Sequence, residues 1–196
     1  MAKLYFYYSA MNAGKSTTLL QSSFNYRERG MDTMLFTAAF DDRADQGVIS
    51  SRLGIDTQAA MFSEEVDMFD AVQAEVAKRA LHCILVDEAQ FLTKAHVFQL
   101  ANVADKLKLP VLCYGLRTDF QANLFEGSKW LLAIADELVE LKTICTCGSK
   151  ATMNLRIDAD GKAVMHGESI EIGGNERYIA LCRKHFMAKL AETETK

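Results

Sequence analysis

Residues 3–17 read KLYFYYSAMNAGKST: an aromatic, β-prone run, a short polar loop, then Gly14-Lys15-Ser16-Thr17 where a helix has to begin. The generic phosphate loop is G-x-x-x-x-G-K-[ST]; here Ser9 stands at the first glycine, and Ala10, Met11, Asn12 and Ala13 fill the interval. Between a strand and a helix the motif has a mechanism. Backbone N–H groups of the loop wrap phosphate oxygens, and the helix N-terminus adds partial positive charge. In that reading residues 9–17 cradle a nucleotide, Lys15 reaches the β- and γ-phosphates of ATP, and the Ser16 hydroxyl ligates Mg²⁺. A bare GKS also arises as a chance turn ahead of a helix. The strand before it and the helix after it favour phosphate binding.

The complementary half of such a site lies at residues 84–88, ILVDE. Four apolar residues ending in an acid describe a buried strand that delivers a carboxylate to the edge of a sheet. Asp87 is placed to hold Mg²⁺ through water, and Glu88 is left for base chemistry. One acid at a strand end is ordinarily a solvated charge; paired with GKST it points to nucleoside-triphosphate chemistry. The residues leave the acceptor open: Glu88 suits activation of water, as in an ATPase, or of a substrate hydroxyl, as in a kinase.

Around these two motifs, apolar strands alternate with amphipathic helices. A helix is expected over Ser16–Arg29, stopped by Gly30, and a strand at TMLFTA (33–38). Residues 41–54 are polar and irregular. A long helix from Ser63 or Glu64 to Arg79 carries Val66, Phe69, Val72 and Val76 at three- and four-residue steps. HCILV (82–86) is a buried strand, Lys94–Leu107 a helix, and Pro110 leads into the strand VLCYG. Trp130–Ala135 is expected to be helical and ELVELKTI (137–144) a returning strand. The alternation specifies an α/β fold: a P-loop, RecA-like domain with a mostly parallel sheet over residues 1–144.

The pattern changes at 145. Short strands punctuated by Cys147-Gly148, Asp160-Gly161 and Gly173-Gly174 form a small zinc-ribbon-like β domain at 145–188, and 189–196 reads as a polar tail. Cys145-Thr-Cys147 and Cys182-Arg-Lys-His185 are two tight ligand pairs, and three thiolates with one imidazole suit tetrahedral Zn²⁺. Four protein ligands leave no open position, so the zinc is structural. Residues 148–181 make the interval longer than in an ordinary zinc ribbon, which implies an inserted functional loop. The bland alternative is reduced thiols in a small core. Cys83 and Cys113 lie within apolar strands and read as plain core. His82, His96 and His166 have no evident partner.

Composition narrows the classes. The 196 residues are 49% apolar, enough for one cored domain and an appendage. A net charge of −4 argues against a nucleic-acid binder. No apolar run approaches the ~18 residues of a membrane span. The opening residues lack the features of an export signal, and the five cysteines suit metal or core roles. A cytoplasmic protein without nucleic-acid or membrane partners is expected.

Seen together, YFYYSAMNAGKST (5–17), DDR (41–43), LVDEAQFL (85–92), CYGLRTDF (113–120), LVELKTIC (138–145), IGGNERY (172–178) and CRKH (182–185) resemble the type II, zinc-containing thymidine kinase family, in its enteric-bacterial form. The resemblance covers nearly the whole chain. It implies transfer of the γ-phosphoryl of ATP to the 5′-hydroxyl of thymidine with Mg²⁺, deoxyuridine as a further substrate, a homotetramer, and inhibition by thymidine triphosphate. By position it makes Glu88 the general base and Arg43 the arginine beside the transferring phosphoryl. Asp41 contacts the sugar and Met11 lies near the thymine methyl. Gln90, Phe91, Leu116 and Phe120 line the nucleoside pocket, with Gln90 also close to the nucleotide. The segment between the zinc pairs becomes a lasso-like loop over the base; Ser169 and Glu171 lie in it and Tyr178 packs nearby. Many members of the family use four cysteines where this chain has His185 in the last place, a benign exchange for zinc.

Two other classes share some of these features. A RecA- or helicase-type ATPase module shares GKST and DE, but has no reason for the C-terminal metal pairs. A non-catalytic zinc-ribbon module would bind ATP and leave it intact when nucleosides are supplied.

Overall fold

The computed structural model describes residues 1–39, 47–51, 54, 56–167 and 177–194. The first part of the chain runs β1 (Leu4–Ser9), α1 (Lys15–Arg27), β2 (Thr33–Ala38), the hairpin strands β3 (Val48–Ser50) and β4 (Asp56–Gln58), β5 (Ala60–Phe62), α2 (Met68–Val76), β6 (Cys83–Val86), α3 (Lys94–Asn102), β7 (Val111–Leu116), α4 (Glu126–Ile134) and β8 (Glu137–Glu140). Six strands form one sheet in the order β5-β2-β6-β7-β1-β8, and every pairing in it is parallel. The α/β, RecA-like expectation is met: β7 separates the strand of the phosphate loop from the strand of Asp87.

The connections follow from handedness. From β1 to β2 the chain moves one way along the sheet; from β5 to β6, β6 to β7 and β7 to β8 it moves the other way. Right-handed crossovers then put α1 on one face and α2, α3 and α4 on the other. Side chains divide accordingly. Leu19 and Leu20 of α1 pack with Leu35, Leu85, Leu112 and Tyr114. Val72, Val97, Leu100 and Leu131 pack with Phe6, Phe36, Ile84, Val86 and Val111. β6 is buried on both faces, as a central parallel strand must be, which is why its sequence is uninterruptedly apolar. Each such aliphatic side chain contributes about 1.5–3 kcal/mol by leaving water.

Some boundaries differ from the sequence expectation, each for a local reason. The helix expected from Ser63 or Glu64 starts at Met68, because the Asp67 carboxylate accepts from the Asp70 N–H and caps it there. The helix expected over Lys94–Leu107 is α-helical to Asn102 and closes in a π turn, Val103–Leu107. α4 starts at Glu126, ahead of the expected Trp130, and its first turn carries Gly127 against the turn described below. The run Glu137–Ile144 is broken: β8 ends at Glu140, and β9 (Thr143–Ile144) pairs antiparallel with β10 (Lys150–Ala151).

The remainder of the C-terminal unit comprises β11 (Met153–Arg156), β12 (Tyr178–Leu181) and α5 (Arg183–Glu194). β11 and β12 pair antiparallel, with Asn154 opposite Ala180 and Arg156 opposite Tyr178. Its core is small: Cys145, Ala151, Met153, Leu155, Ala163, Leu181 and Phe186. Residues 189–194, expected as a polar tail, continue α5, and Leu190 packs on that core. Among the described residues no helix is long and apolar enough to cross a membrane.

Candidate functional site

The phosphate loop joins the end of β1 to α1 at the C-terminal edge of the sheet, where ligands bind in open parallel sheets. Asn12 and Gly14 have φ of 63° and 77°. Left-handed residues so placed turn successive N–H groups toward one point, the geometry of an anion nest. Asn tolerates this conformation, and Gly14 adopts it without a Cβ penalty. Helix α1 starts at Lys15 with no side-chain cap and no acid in its first turn, which leaves its terminal N–H groups and dipole to a ligand. The Lys15 ammonium lies 3.3 Å from both the Ser9 hydroxyl and the Ala10 carbonyl, folded back over its own loop. Ser9, in the place of the usual glycine, is buried and donates to the Ala10 carbonyl.

Asp87 leaves β6 at the same edge. It is buried, and the Ser16 side chain near it favours its charged form. The two halves of the motif therefore lie together. Burial, and then the neighbouring Glu88 charge, push the Asp87 carboxyl up to about 7, while Ser16 and Lys15 pull the other way. A buried carboxylate with its charge so disfavoured is a natural seat for a cation, and the Ser16 hydroxyl beside it completes an oxygen pair suited to Mg²⁺.

Glu88 follows with φ 50°, a strained conformation for a glutamate. The backbone there turns sharply out of β6 into a 3₁₀ turn, Ala89–Phe91. Gln90 in that turn is buried; its amide nitrogen donates to the Glu88 carboxylate, and its oxygen accepts from the Leu116 N–H at 2.9 Å. Gln90 is thus a clamp that ties the candidate base to the end of β7. Two glycines make room for it. A Cβ on Gly115 would stand 2.9 Å from the Gln90 amide oxygen, and one on Gly127 would stand 2.3 Å from the Ala89 carbonyl oxygen.

The other expected pocket residues divide. Met11, Phe91 and Leu116 are half-buried around this edge, with the Phe91 ring meeting Phe125 edge-on at 5.8 Å, and Tyr178 is half-buried at the start of β12, opposite Arg156. Phe120 is buried, with the Arg156 guanidinium 5.3 Å from its ring centroid. Asp41, Arg43, Ser169 and Glu171 lie outside the described residues.

Cys145, Cys147, Cys182 and His185 converge, their ligand atoms all within 4.8 Å of one another. Cys147 and Cys182 Sγ are 3.9 Å apart and Cys145 Sγ is 3.3 Å from His185 Nδ1. Zn–S bonds near 2.3 Å and a Zn–N bond near 2.0 Å give tetrahedral edges of about 3.5–3.8 Å, so the set fits zinc. Gly148, at φ 81°, turns the first knuckle and donates to the Cys145 carbonyl at 2.8 Å. Backbone N–H groups of Cys147 and Cys182, with the His185 ring, hold the Cys145 thiol well below the ordinary thiol range, the thiolate form that a metal needs.

Sequence reasoning assigned no role to Asn154 and found no partner for His96. Asn154 reaches from β11 to the phosphate loop. His96 is buried and closes the N-terminal cap of α3: Nδ1 accepts from the Thr93 N–H at 3.3 Å, and Nε2 is 3.1 Å from the Val66 carbonyl. The T-x-x-H spacing at 93–96, in the place of a capping box, was the one available signal for it. His82 and His166 are exposed.

A family profile described as thymidine kinase matches residues 2–186. A thymidine kinase of Zymomonas mobilis is 66% identical over 190 residues, 97% of this chain and 98% of that one. One from Pasteurella multocida is 61% identical over 191 residues (97% and 100%), and one from Salmonella paratyphi A 59% over 192 (98% and 94%). With a phosphate loop, an adjoining acid pair and a Cys₃His cluster in one fold, and relatives matched over nearly their full length, the chain belongs to the thymidine kinase family.

Proposed function

We propose that this protein transfers the γ-phosphoryl group of ATP to the 5′-hydroxyl of thymidine, and accepts deoxyuridine as a related substrate. The observation that carries the reading is the placement of the phosphate loop after β1 and the acid pair after β6 at one edge of the parallel sheet, with Glu88 on a clamped turn. Backbone N–H groups of residues 12–17 and the Lys15 ammonium bind the triphosphate. Ser16 and Asp87 would hold Mg²⁺ bound with ATP, which would supply charge neutralisation for the transferring group. Glu88 accepts the proton of the 5′-hydroxyl as the oxygen attacks. Met11, Phe91, Leu116, Phe120 and Tyr178 form the walls of the nucleoside pocket. Asp41 and Arg43 serve the sugar and the phosphoryl group, and the loop containing Ser169 and Glu171 covers the base.

Cys145, Cys147, Cys182 and His185 would hold Zn²⁺, which would anchor both ends of that loop. The thiolate-rich site favours the reducing cytoplasm as its compartment. A homotetramer and feedback inhibition by thymidine triphosphate complete the proposal on the strength of the family resemblance. Light scattering and inhibition titration check those two features.

The test of function is ATP turnover in Mg²⁺ buffer with thymidine, each of the four ribonucleosides, or water alone as acceptor. Thymidine-dependent 5′-monophosphate formation is the expected result. Turnover that needs no nucleoside would replace the kinase with an ATPase.

A further inference from the structure

We infer that Asn154 is a positioning residue that couples the ATP half of the site to the half built on the metal-binding unit, an inference that rests on the kinase reading above. Asn154 is 2% exposed and uses both ends of its amide on the α/β domain. Its oxygen accepts from the Met11 N–H, in the phosphate loop, at 2.8 Å. Its nitrogen donates to the Thr118 carbonyl, in the loop after β7, at 2.9 Å. The strand that carries it pairs with β12, which begins directly beyond the segment proposed to cover the base. One buried side chain therefore connects that strand pair to the residue just ahead of the left-handed turn at Asn12.

The chemistry demands an amide. Only a side chain that donates and accepts at two separate atoms spans this N–H and this C=O together; aspartate cannot donate, the serine hydroxyl is too short to bridge both, and leucine leaves both unpaired. With its N–H committed to Asn154, Met11 gives no donor to phosphate, and its backbone follows β11 whenever β11 moves. A nucleoside that bears on β11 is thereby felt at the loop that grips ATP, and by linkage ATP acts back on the nucleoside in return. A second tie runs from the Arg117 guanidinium to the Thr152 carbonyl at 3.2 Å, and the Arg117 N–H in turn meets the Ser9 carbonyl at 3.4 Å, whereas the Gln121 amide donates to the Met165 carbonyl at 3.0 Å, away from the phosphate loop.

The experiment measures binding of a non-hydrolysable ATP analogue to zinc-replete protein, with and without saturating thymidine. Wild type is expected to bind the analogue at least about 5-fold more tightly with thymidine present. Asn154→Leu and Asn154→Ser bring that ratio toward one while still binding each ligand separately, whereas Gln121→Ala, which cuts a tie away from the phosphate loop, keeps the wild-type ratio. A wild-type ratio of one overturns the inference, and so does an unchanged ratio in either folded Asn154 variant or an equal loss in Gln121→Ala. Failure of wild type to bind thymidine at all overturns the functional reading itself, and the inference with it.

Discussion

Glu88 carries the heaviest demand placed on any single residue. Its left-handed backbone, its neighbour Asp87 and its clamp Gln90 fix where its carboxylate stands. Replacing the carboxylate by an amide preserves volume and removes the proton acceptor. Glu88→Gln is therefore expected to bind ATP normally and to lose about 10²–10⁴-fold in kcat, the usual worth of a positioned base. Single-turnover kinetics beside equilibrium ATP binding check this; near-normal turnover would remove Glu88 from the mechanism. His96 provides a prediction of a different kind. Burial holds its imidazole below the ordinary value near 6.5, and the cap needs Nδ1 unprotonated. The folded protein thus binds this proton less readily than the unfolded chain. The stabilisation is complete above about pH 6.5 and is lost as pH falls below it toward the depressed folded value. Thermal midpoints between pH 7.5 and 5.5 should fall more steeply in wild type than in His96→Gln.

The decisive junction between elements is the approach of α4 to the 3₁₀ turn. Gly127 lets the helix backbone rest against the carbonyls of Ala89, Gln90 and Leu92. A methyl group there meets backbone on three sides, so the turn has to move. Gly127→Ala is expected to destabilise the fold by about 1–3 kcal/mol, as overpacking does. Because the displaced turn holds Gln90, kcat should also fall. Melting curves and kcat on the same preparation check it; a lowered melting temperature with unchanged kcat would mean that Glu88 is held independently of the turn.

At the scale of the whole molecule, a large core and a small one have different means of support. The α/β domain has well-packed apolar clusters on both faces of its sheet, while the C-terminal unit has, among the described residues, one cluster of seven buried residues that includes Cys145, itself one of the four convergent ligands. So small a core needs a metal or another staple. One zinc per chain is expected by elemental analysis of tag-free protein. Cys182→Ser should raise the thymidine KM before the α/β domain unfolds, observed as separate transitions in calorimetry. A single transition lowered as a whole would mean that the metal supports the entire fold.

Residues 9–17, the ILVDE strand and the two ligand pairs were legible because each is local: chemistry and spacing sit within a few consecutive residues. The alternation of strands and helices likewise fixed the mostly parallel sheet, whereas the division of helices between its faces follows from the strand order that the fold adopts. The sequence by itself thus determined the fold class, the phosphate loop, the acid pair and the metal ligands. Tertiary structure alone decided what depends on contacts between distant segments. The amide of Gln90 is committed to Glu88 and Leu116, Gly127 is a seat for the turn, and Asn154 reaches Met11 across most of the chain. No periodicity encodes these pairings. An Asn, a Gln or a Gly carries no mark of its partner until the folded backbone brings a buried N–H or C=O within hydrogen-bond reach, where leaving it unpaired is costly.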